Sequence, residues 1–387
     1  MEIILLAVVV MLAAQLLFAA WNVRQLPLFE QLGTLTVNHN VPDPAAAAAS
    51  TLRLSILIPA RNEERHIEAC LRAIQQCLPS DPSIEIIVLD DRSEDRTASL
   101  MEPFMALDSR FRCISGQEPP SGWVGKAYAC HQLSQAARGE WFLFIDADAR
   151  IQPGAIESVL QATSAQRSGL ITGFPHQETG SWLEKLVVPM MGFTIACHLP
   201  IKLVSASRDA RFTAAHGAWI AVHHATYAES GGHAANFGHL VDDVALMRAV
   251  KRIGHPATLA DVRRLVSMRM YQNATEVWSG YKKNIYAGVG RSGVVLLTML
   301  TLYALLYVLP FVALVGSLFE HSLLIPALTA YLLGVAVKAV ADRSQGQSIW
   351  LAWFIPFSIG AVIAIGAASW LSAKTGAGYI WKGRSYE

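Results

Sequence analysis

Four long apolar runs decide most of what this 387-residue chain can become. Ile3–Ala20 is broken only by Gln15, and Val294–Leu318, Leu323–Val340 and Ile349–Leu371 follow toward the other end. Each is about the length that crosses a bilayer as a helix. They account for a composition of 53% hydrophobic and 16% charged residues, skewed away from soluble usage. No Lys or Arg precedes the first run and Arg24 follows it. That favours an uncleaved anchor, with its C-terminal side in the cytoplasm, over a signal peptide cleaved near Phe18-Ala19-Ala20. The expected order is an anchor over 1–22, a linker over 23–51 containing the small-residue stretch Pro42–Ser50, and a folded domain over 52–265. An interfacial helical region over 266–292, about three membrane helices over 293–373 and a tail over 374–387 complete it.

The formal net charge of +1 leaves no nucleic-acid footprint. Cys70, Cys77, Cys113, Cys130 and Cys197 are odd in number and form no Cys-x-x-Cys pair. They read as buried thiols of a reducing compartment rather than a disulfide framework or a zinc site.

From Leu52 to about Ala260 strand and helix patterns alternate, which argues an α/β domain with a mainly parallel sheet. Leu54–Pro59, Ile84–Asp90 and Trp141–Ile145 are the clearest strands, and the last is apolar throughout, as in a strand buried on both faces. Three strand ends carry polar residues: Pro59-Ala60-Arg61-Asn62-Glu63-Glu64, Asp90-Asp91 and Asp146-Ala147-Asp148. Ligands of open α/β sheets sit at such ends. On extended backbone, Asp146 and Asp148 point the same way and can reach one hard cation, although Asp-Ala-Asp is also an ordinary polar exit from a strand. Gly180–Ser205, apolar but interrupted by Pro189 and Pro200, reads either as buried core helix or as a segment lying on the bilayer.

Ile58–Glu64 (IPARNEE), Val88–Thr97 (VLDDRSEDRT) and Ile145–Asp148 (IDAD), in that order, resemble glycosyltransferase family two, whose members are nucleotide-sugar enzymes of the GT-A fold. The resemblance covers Leu52 to about Gly290. Gly122–Cys130, Glu229–Asp243, Arg269–Asn284 and Trp381–Tyr386, with the flanking spans, look most like membrane enzymes of that family that glycosylate carotenoids and related apolar lipids. It implies a GT-A-like domain with an N-terminal anchor and C-terminal membrane helices, a nucleotide-sugar donor that is a UDP-sugar, and a lipid acceptor in the bacterial cell membrane.

The same resemblance implies roles at particular residues. Pro59, Ala60, Arg61, Glu63, Asp90, Asp91, Lys126 and Asp146 would hold the nucleotide-sugar. Asp91 would accept from the ring N–H of the base, while the bland alternative for the Asp90-Asp91 pair is capping of the following turn. Asp146 and Asp148 would hold Mg²⁺ or Mn²⁺ against the diphosphate. Asp243 is the expected general base, with Asp242 in the place of the family's Glu and as fallback. Both could also simply start a helix, where acids are favoured. His233 is a candidate lining of the acceptor site. Trp278, Lys282 and Lys283 are candidates for the acceptor or diphosphate, or else part of an amphipathic helix at the membrane surface.

The Gln-x-x-Arg-Trp string of processive members is missing, which speaks against a polysaccharide synthase. Ceramide, diacylglycerol and hopanoid acceptors stay open, as does a non-catalytic lipid-binding protein, against which the acid set speaks. Three full spans after the domain would place Lys374, Lys382 and Arg384 on the side opposite to it, against the positive-inside tendency. A re-entrant last segment, broken near Pro356 and Gly360, would remove that conflict.

Overall fold

The computed structural model describes residues 1–33 and 52–375, together with the backbone of two short strands, Tyr379–Trp381 and Arg384–Tyr386. The Pro42–Ser50 linker and the side chains of the Trp381–Tyr386 stretch lie outside the described residues. The chain forms two compact units.

One unit is made of Leu26–His176 and Lys202–Met268. Its strands are β1 (Leu54–Ala60), β2 (Ile84–Asp90), β3 (Phe111–Ser115), β4 (Trp141–Phe144), β5 (Ala149–Ile151), β6 (Leu170–Phe174), β7 (His176–Gln177, whose second residue begins a segment of the other unit), β8 (Ile220–His223), β9 (Ala257–Asp261) and β10 (Val266–Met268). Seven of them form one sheet in the order β3-β2-β1-β4-β8-β6-β9. All neighbours run parallel except β8, which is antiparallel to both β4 and β6. The apolar runs explain the burial. Leu54, Ile56, Leu57 and Ile58 of β1 are fully enclosed, and all four residues of β4 are buried. Such two-sided burial is what a helix-covered parallel sheet requires.

Register aligns the strand exits. Ala60 of β1 pairs with Asp90 of β2, and Asp90 pairs with Ser115 of β3. The loops after β1, β2 and β4 therefore leave the same edge of the sheet. One local expectation needs correcting: β4 stops at Phe144, and Asp146-Ala147-Asp148 forms a turn closed by the Ala149 N–H on the Asp146 carbonyl at 3.0 Å. The two aspartates share a turn, not a strand face.

The other unit combines Met1–Gln25, Gln177–Ile201 and Arg269–Glu387. Glu2–Gln25, Gly293–Gly316, His321–Ser344 and Ile349–Lys374 are helical, and each is long and apolar enough to cross a membrane. The second carries a π-helical turn at Ala304–Val308, just before Pro310. Proline lacks the N–H for a regular i→i−4 bond, and a wider turn relieves its clash with the preceding carbonyl. The proposed break in the last helix is not where the sequence placed it. A 3₁₀ stretch covers Ile349–Phe354, and an uninterrupted helix then runs from Ile355 to Lys374, straight through Gly360. Pro356 sits in its first turn, where a missing N–H costs no helical bond.

Gly180–Ser205 resolves into three short helices, Trp182–Val187, Met190–His198 and Ile201–Ala206. Met190, Phe193, Ala196 and Cys197 share one apolar cluster with Leu12, Leu300, Tyr303 and Tyr307, so the middle helix is core. Asn22, fully buried, caps its end: the side-chain amide donates to the carbonyls of Ala196 (3.0 Å) and Leu199 (2.7 Å), and its oxygen accepts the Ile201 N–H (2.8 Å). A buried Lys338–Asp342 pair, one helical turn apart, lies in the third long helix, where an unpaired charge would be costly.

Candidate active site

The loops after β1 and β2 are zipped together by bonds between side chains and backbone groups. Arg61 Nη1 donates to the carbonyls of Asp91 (2.7 Å) and Arg92 (2.8 Å), and the Asn62 N–H donates to Ser93 Oγ at 3.0 Å. The Glu63 N–H reaches Thr97 Oγ1 at 2.8 Å, and Asp90 Oδ1 accepts the Ser93 N–H at 3.1 Å. Asp90 thus caps the turn, and Arg61 clamps two peptide carbonyls. Asp91, 4% exposed, is tied to the neighbouring strand end by its N–H on the Ala60 carbonyl at 2.8 Å. Pro59 and Ala60 close β1 beside them.

Lys126, at the start of the helix Gly125–Ala136, places its ammonium on both carboxylate oxygens of Asp146, 2.7 Å from Oδ1 and 2.9 Å from Oδ2. Burial opposes that charge, but the carboxylates of Asp146 and Asp242 outweigh it and hold the Lys126 pKa well above its ordinary value. Beneath the turn lies the Cys70 thiol. Burial above all pushes its pKa up to about 12, against Arg150, with the charges of Asp148, Glu63 and Asp146 adding to the rise. A turn bearing two carboxylates, one already engaging an internal ammonium, offers the hard oxygen donors that Mg²⁺ or Mn²⁺ takes.

Asp242 and Asp243 open the helix Asp242–Arg252. Asp243 Oδ2 accepts the Gly217 N–H at 2.9 Å, and Oδ1 accepts its neighbour's N–H, that of Val244, at 2.7 Å. Burial first, and then the charge of Asp242, pushes the Asp243 carboxyl up to about 7, while Lys126 and the two N–H donors pull it down. Gly217 is the hinge point of this arrangement. A Cβ there would lie 2.9 Å from Lys126 Nζ, 3.8 Å from Asp243 Oδ2 and 3.9 Å from Asp146 Oδ2. Three charged groups on three elements thus converge on one glycine in the loop leading into β8. His216 beside it is buried, its ring packed edge-on against Phe174, and burial lowers its pKa to about 4, so it is neutral.

His233 is 3% exposed and sits behind the acids rather than on an open wall. Its Nδ1 bonds the Tyr227 hydroxyl at 2.8 Å, and its Nε2 faces Asp242 Oδ2 at 3.7 Å. Trp278, Lys282 and Lys283 belong to the membrane unit, on the helix Ala274–Gly288. Trp278 is 39% exposed there, and the Lys282 carbonyl accepts the Ser369 hydroxyl.

The model of the family described as Glycosyl transferase family 2 matches residues 55–220. The chain carries a glycosyltransferase family 2 domain. That match takes in the loops after β1 and β2, Lys126, the Asp146–Asp148 turn and Gly217, and it ends before Asp242 and Asp243. Two relatives named 4,4'-diaponeurosporenoate glycosyltransferase are similar over most of the chain. The one from Staphylococcus aureus strain N315 is 26% identical over 364 residues, covering 92% of this chain and 91% of its own. The one from Staphylococcus haemolyticus is 25% identical over 284 residues, covering 73% and 74%. Among solved structures, a mannosyltransferase from Pyrobaculum calidifontis in complex with GDP-Man and Mn²⁺ superposes with a TM-score of 0.56 at 16% identity. The overlap covers 96% of this chain and 99% of that one. The fold of the glycosyltransferase domain is thus GT-A-like, and the chain is an enzyme that transfers sugar.

Within the glycosyltransferase domain, the residue missed in the sequence is Gly217. Nothing in Ala214-Ala215-His216-Gly217-Ala218 marks it, because its importance lies in what approaches it from other elements. The only usable signal was position, a glycine just before a strand bordering β4.

Proposed function

We propose that this protein moves a sugar from a nucleotide-sugar, a UDP-sugar in the favoured case, to an apolar carotenoid-like lipid in the membrane, inverting the anomeric centre. The observation that carries this reading is the convergence of Lys126, Asp146 and Asp243 on Gly217. It sets a cationic group, a metal-type carboxylate and a candidate base around one small space. The names of the staphylococcal relatives support a carotenoid acceptor, and the four apolar helices support a membrane-borne one.

In this reading the loops of Pro59–Glu63 and Asp90–Asp91 receive the nucleotide, and Lys126 turns from Asp146 to the diphosphate, where a cation stabilises departing charge. Asp146 and Asp148 would hold Mg²⁺ or Mn²⁺, which when bound neutralises charge on the leaving diphosphate. Asp243, held by the Gly217 and Val244 N–H groups, takes the proton of an attacking lipid hydroxyl, or stands beside an acceptor carboxylate that arrives already ionised. The diphosphate leaves from the opposite face of the sugar, and the product is a glycolipid. The catalytic unit faces the cytoplasm, where nucleotide-sugars are made.

The test is transfer by purified full-length protein in lipid nanodiscs with Mg²⁺ or Mn²⁺, UDP-glucose or GDP-mannose, and a C30 carotenoid acid or alcohol as acceptor. Mass spectrometry would find a hexosyl adduct. If nucleotide is released with a diacylglycerol or ceramide acceptor and not with a carotenoid, the acceptor assignment falls. If none of these acceptors releases nucleotide, the transfer reading falls with it.

A further inference from the structure

Behind the proposed base lies a second group of metal-type donors, distinct from the Asp146–Asp148 turn. Cys130, His233 and Asp242 each turn one ligand atom to a common point, and those atoms all lie within 4.8 Å of one another. Cys130 is 2% exposed, His233 3% and Asp242 8%. They come from three separate elements: the helix Gly125–Ala136, the loop before Ala234–Asn236, and the first position of Asp242–Arg252. None of them belongs to the Asp146–Asp148 turn.

The geometry points to a site for a thiophilic divalent cation of the zinc class at Cys130, His233 and Asp242, whose occupation shuts off transfer. The donor set is the first reason. A thiolate and an imidazole select zinc-like ions, whereas Mg²⁺ and Mn²⁺ prefer oxygen alone. The spacing is the second. Atoms bound to one tetrahedral zinc sit roughly 3–4 Å apart, given bond lengths near 2.0–2.3 Å. The His233 Nε2–Asp242 Oδ2 separation is already 3.7 Å, beyond hydrogen-bond length but right for two ligands of one ion.

The outer shell is the third reason. Tyr227 fixes the far side of the imidazole through its bond to Nδ1 at 2.8 Å, and its hydroxyl also takes the His233 backbone N–H at 3.1 Å. A ligating imidazole rests its other ring N–H on a fixed acceptor, and the Tyr227 hydroxyl stands where that acceptor is needed. On binding, the Cys130 thiol gives its proton to solvent, and the thiolate and the Asp242 carboxylate together balance the dication.

The consequence follows from Asp242 and Asp243 being adjacent. An ion on Asp242 fixes the start of the helix Asp242–Arg252 and puts positive charge beside the base. This rests on the transfer reading only for its inhibitory effect; the binding itself does not depend on sugar or lipid.

Titration of the full-length, detergent-purified protein with Co²⁺ separates the two. A thiolate-to-cobalt charge-transfer absorption saturating at one equivalent is expected, displaced by Zn²⁺ and unaffected by millimolar Mg²⁺. Cys130→Ala should abolish the band while keeping transfer in Mg²⁺ and losing its inhibition by Zn²⁺. Tyr227→Phe should weaken Co²⁺ binding by about tenfold or more. Absence of the band in the unaltered protein, or its persistence in Cys130→Ala, overturns the site. Should Cys130→Ala unfold, by circular dichroism, Cys130→Ser serves in its place, with a blue-shifted or lost band expected and an unchanged one counting against the site. Loss of all transfer with the band intact would leave the site standing and sink the transfer reading instead.

Discussion

In the proposed mechanism Asp243 is the base, and its environment sets the pH at which it can take up a proton. Its carboxyl is raised to about 7, so the ionised form that accepts a proton appears only as the pH climbs through neutrality. Transfer to a lipid hydroxyl should therefore rise with pH across that range. Asp242→Asn removes the neighbouring negative charge that raises Asp243, and the rising limb should move to lower pH; a profile that stays put would deny that coupling. Asp243→Asn should cut hydroxyl transfer by about 10²–10⁴-fold, whereas transfer to an acceptor carboxylate, which needs no base, should survive far better. Comparing the two acceptors in one variant distinguishes the chemistries. Gly217→Ala is a second residue-level test. Its Cβ would stand 2.9 Å from Lys126 Nζ, and displacing a catalytic group by around 1 Å can cost on the order of 10²-fold. The expected result is a folded protein, unchanged in melting temperature, whose turnover has collapsed.

Elements show where sequence reading works and where it stops. The strands β1, β2 and β4 were legible because burial on both faces writes itself as unbroken Leu, Ile, Val and Phe. The polar strand exits were legible because charged residues rarely follow such runs without purpose. The antiparallel β8, Ile220–His223, was not, since three apolar residues and a histidine carry no sign of direction. Nor was the pairing of Glu184 with Arg269, residues far apart in sequence. Glu184, 1% exposed, accepts the Gly180 and Ser181 N–H groups at 2.8 and 2.9 Å and the Arg269 guanidinium at 3.0 and 3.2 Å. Burial resists the charge, but Arg269 and these donors prevail and bring the Glu184 pKa from 4.5 down to about 2. A carboxylate with a depressed folded pKa stabilises fully above its unfolded value and loses that contribution as the pH falls through the folded one. Stability from this pair should thus hold above about pH 4.5 and drain away toward pH 2. Arg269→Ala should cost about 1.5–3 kcal/mol, as for hydrogen bonds to a charged group, read as lowered thermal stability in detergent. No loss at neutral pH would show that Glu184 finds other donors.

At the scale of the whole molecule, four helices are long and apolar enough to cross a membrane. The proposed topology, in which each long helix crosses once, puts the chain between the first and second helices on one side and the turn between the second and third on the other. Cys113 of the catalytic unit, unlike the other four cysteines and against the expectation of a buried thiol, is exposed, as is Phe319 of that turn, at 90%. In intact cells, a membrane-impermeant maleimide should label Phe319→Cys and spare Cys113 until the membrane is opened. The reverse pattern would put the catalytic unit outside. The positive residues near the C-terminus still oppose this arrangement, and an unbroken helix from Ile355 to Lys374 leaves a full crossing as the simplest path.

The interleaving of the two units has a practical consequence for anyone wanting a water-soluble enzyme. The catalytic unit is Leu26–His176 joined to Lys202–Met268, and the intervening Gln177–Ile201 belongs to the membrane unit. Trimming both ends would leave that segment, with Met190, Phe193 and Cys197 stripped of the cluster that buries them, as an adhesive loop in water. A soluble version calls for surgery in the middle of the gene, with a short polar bridge spliced from His176 to Lys202.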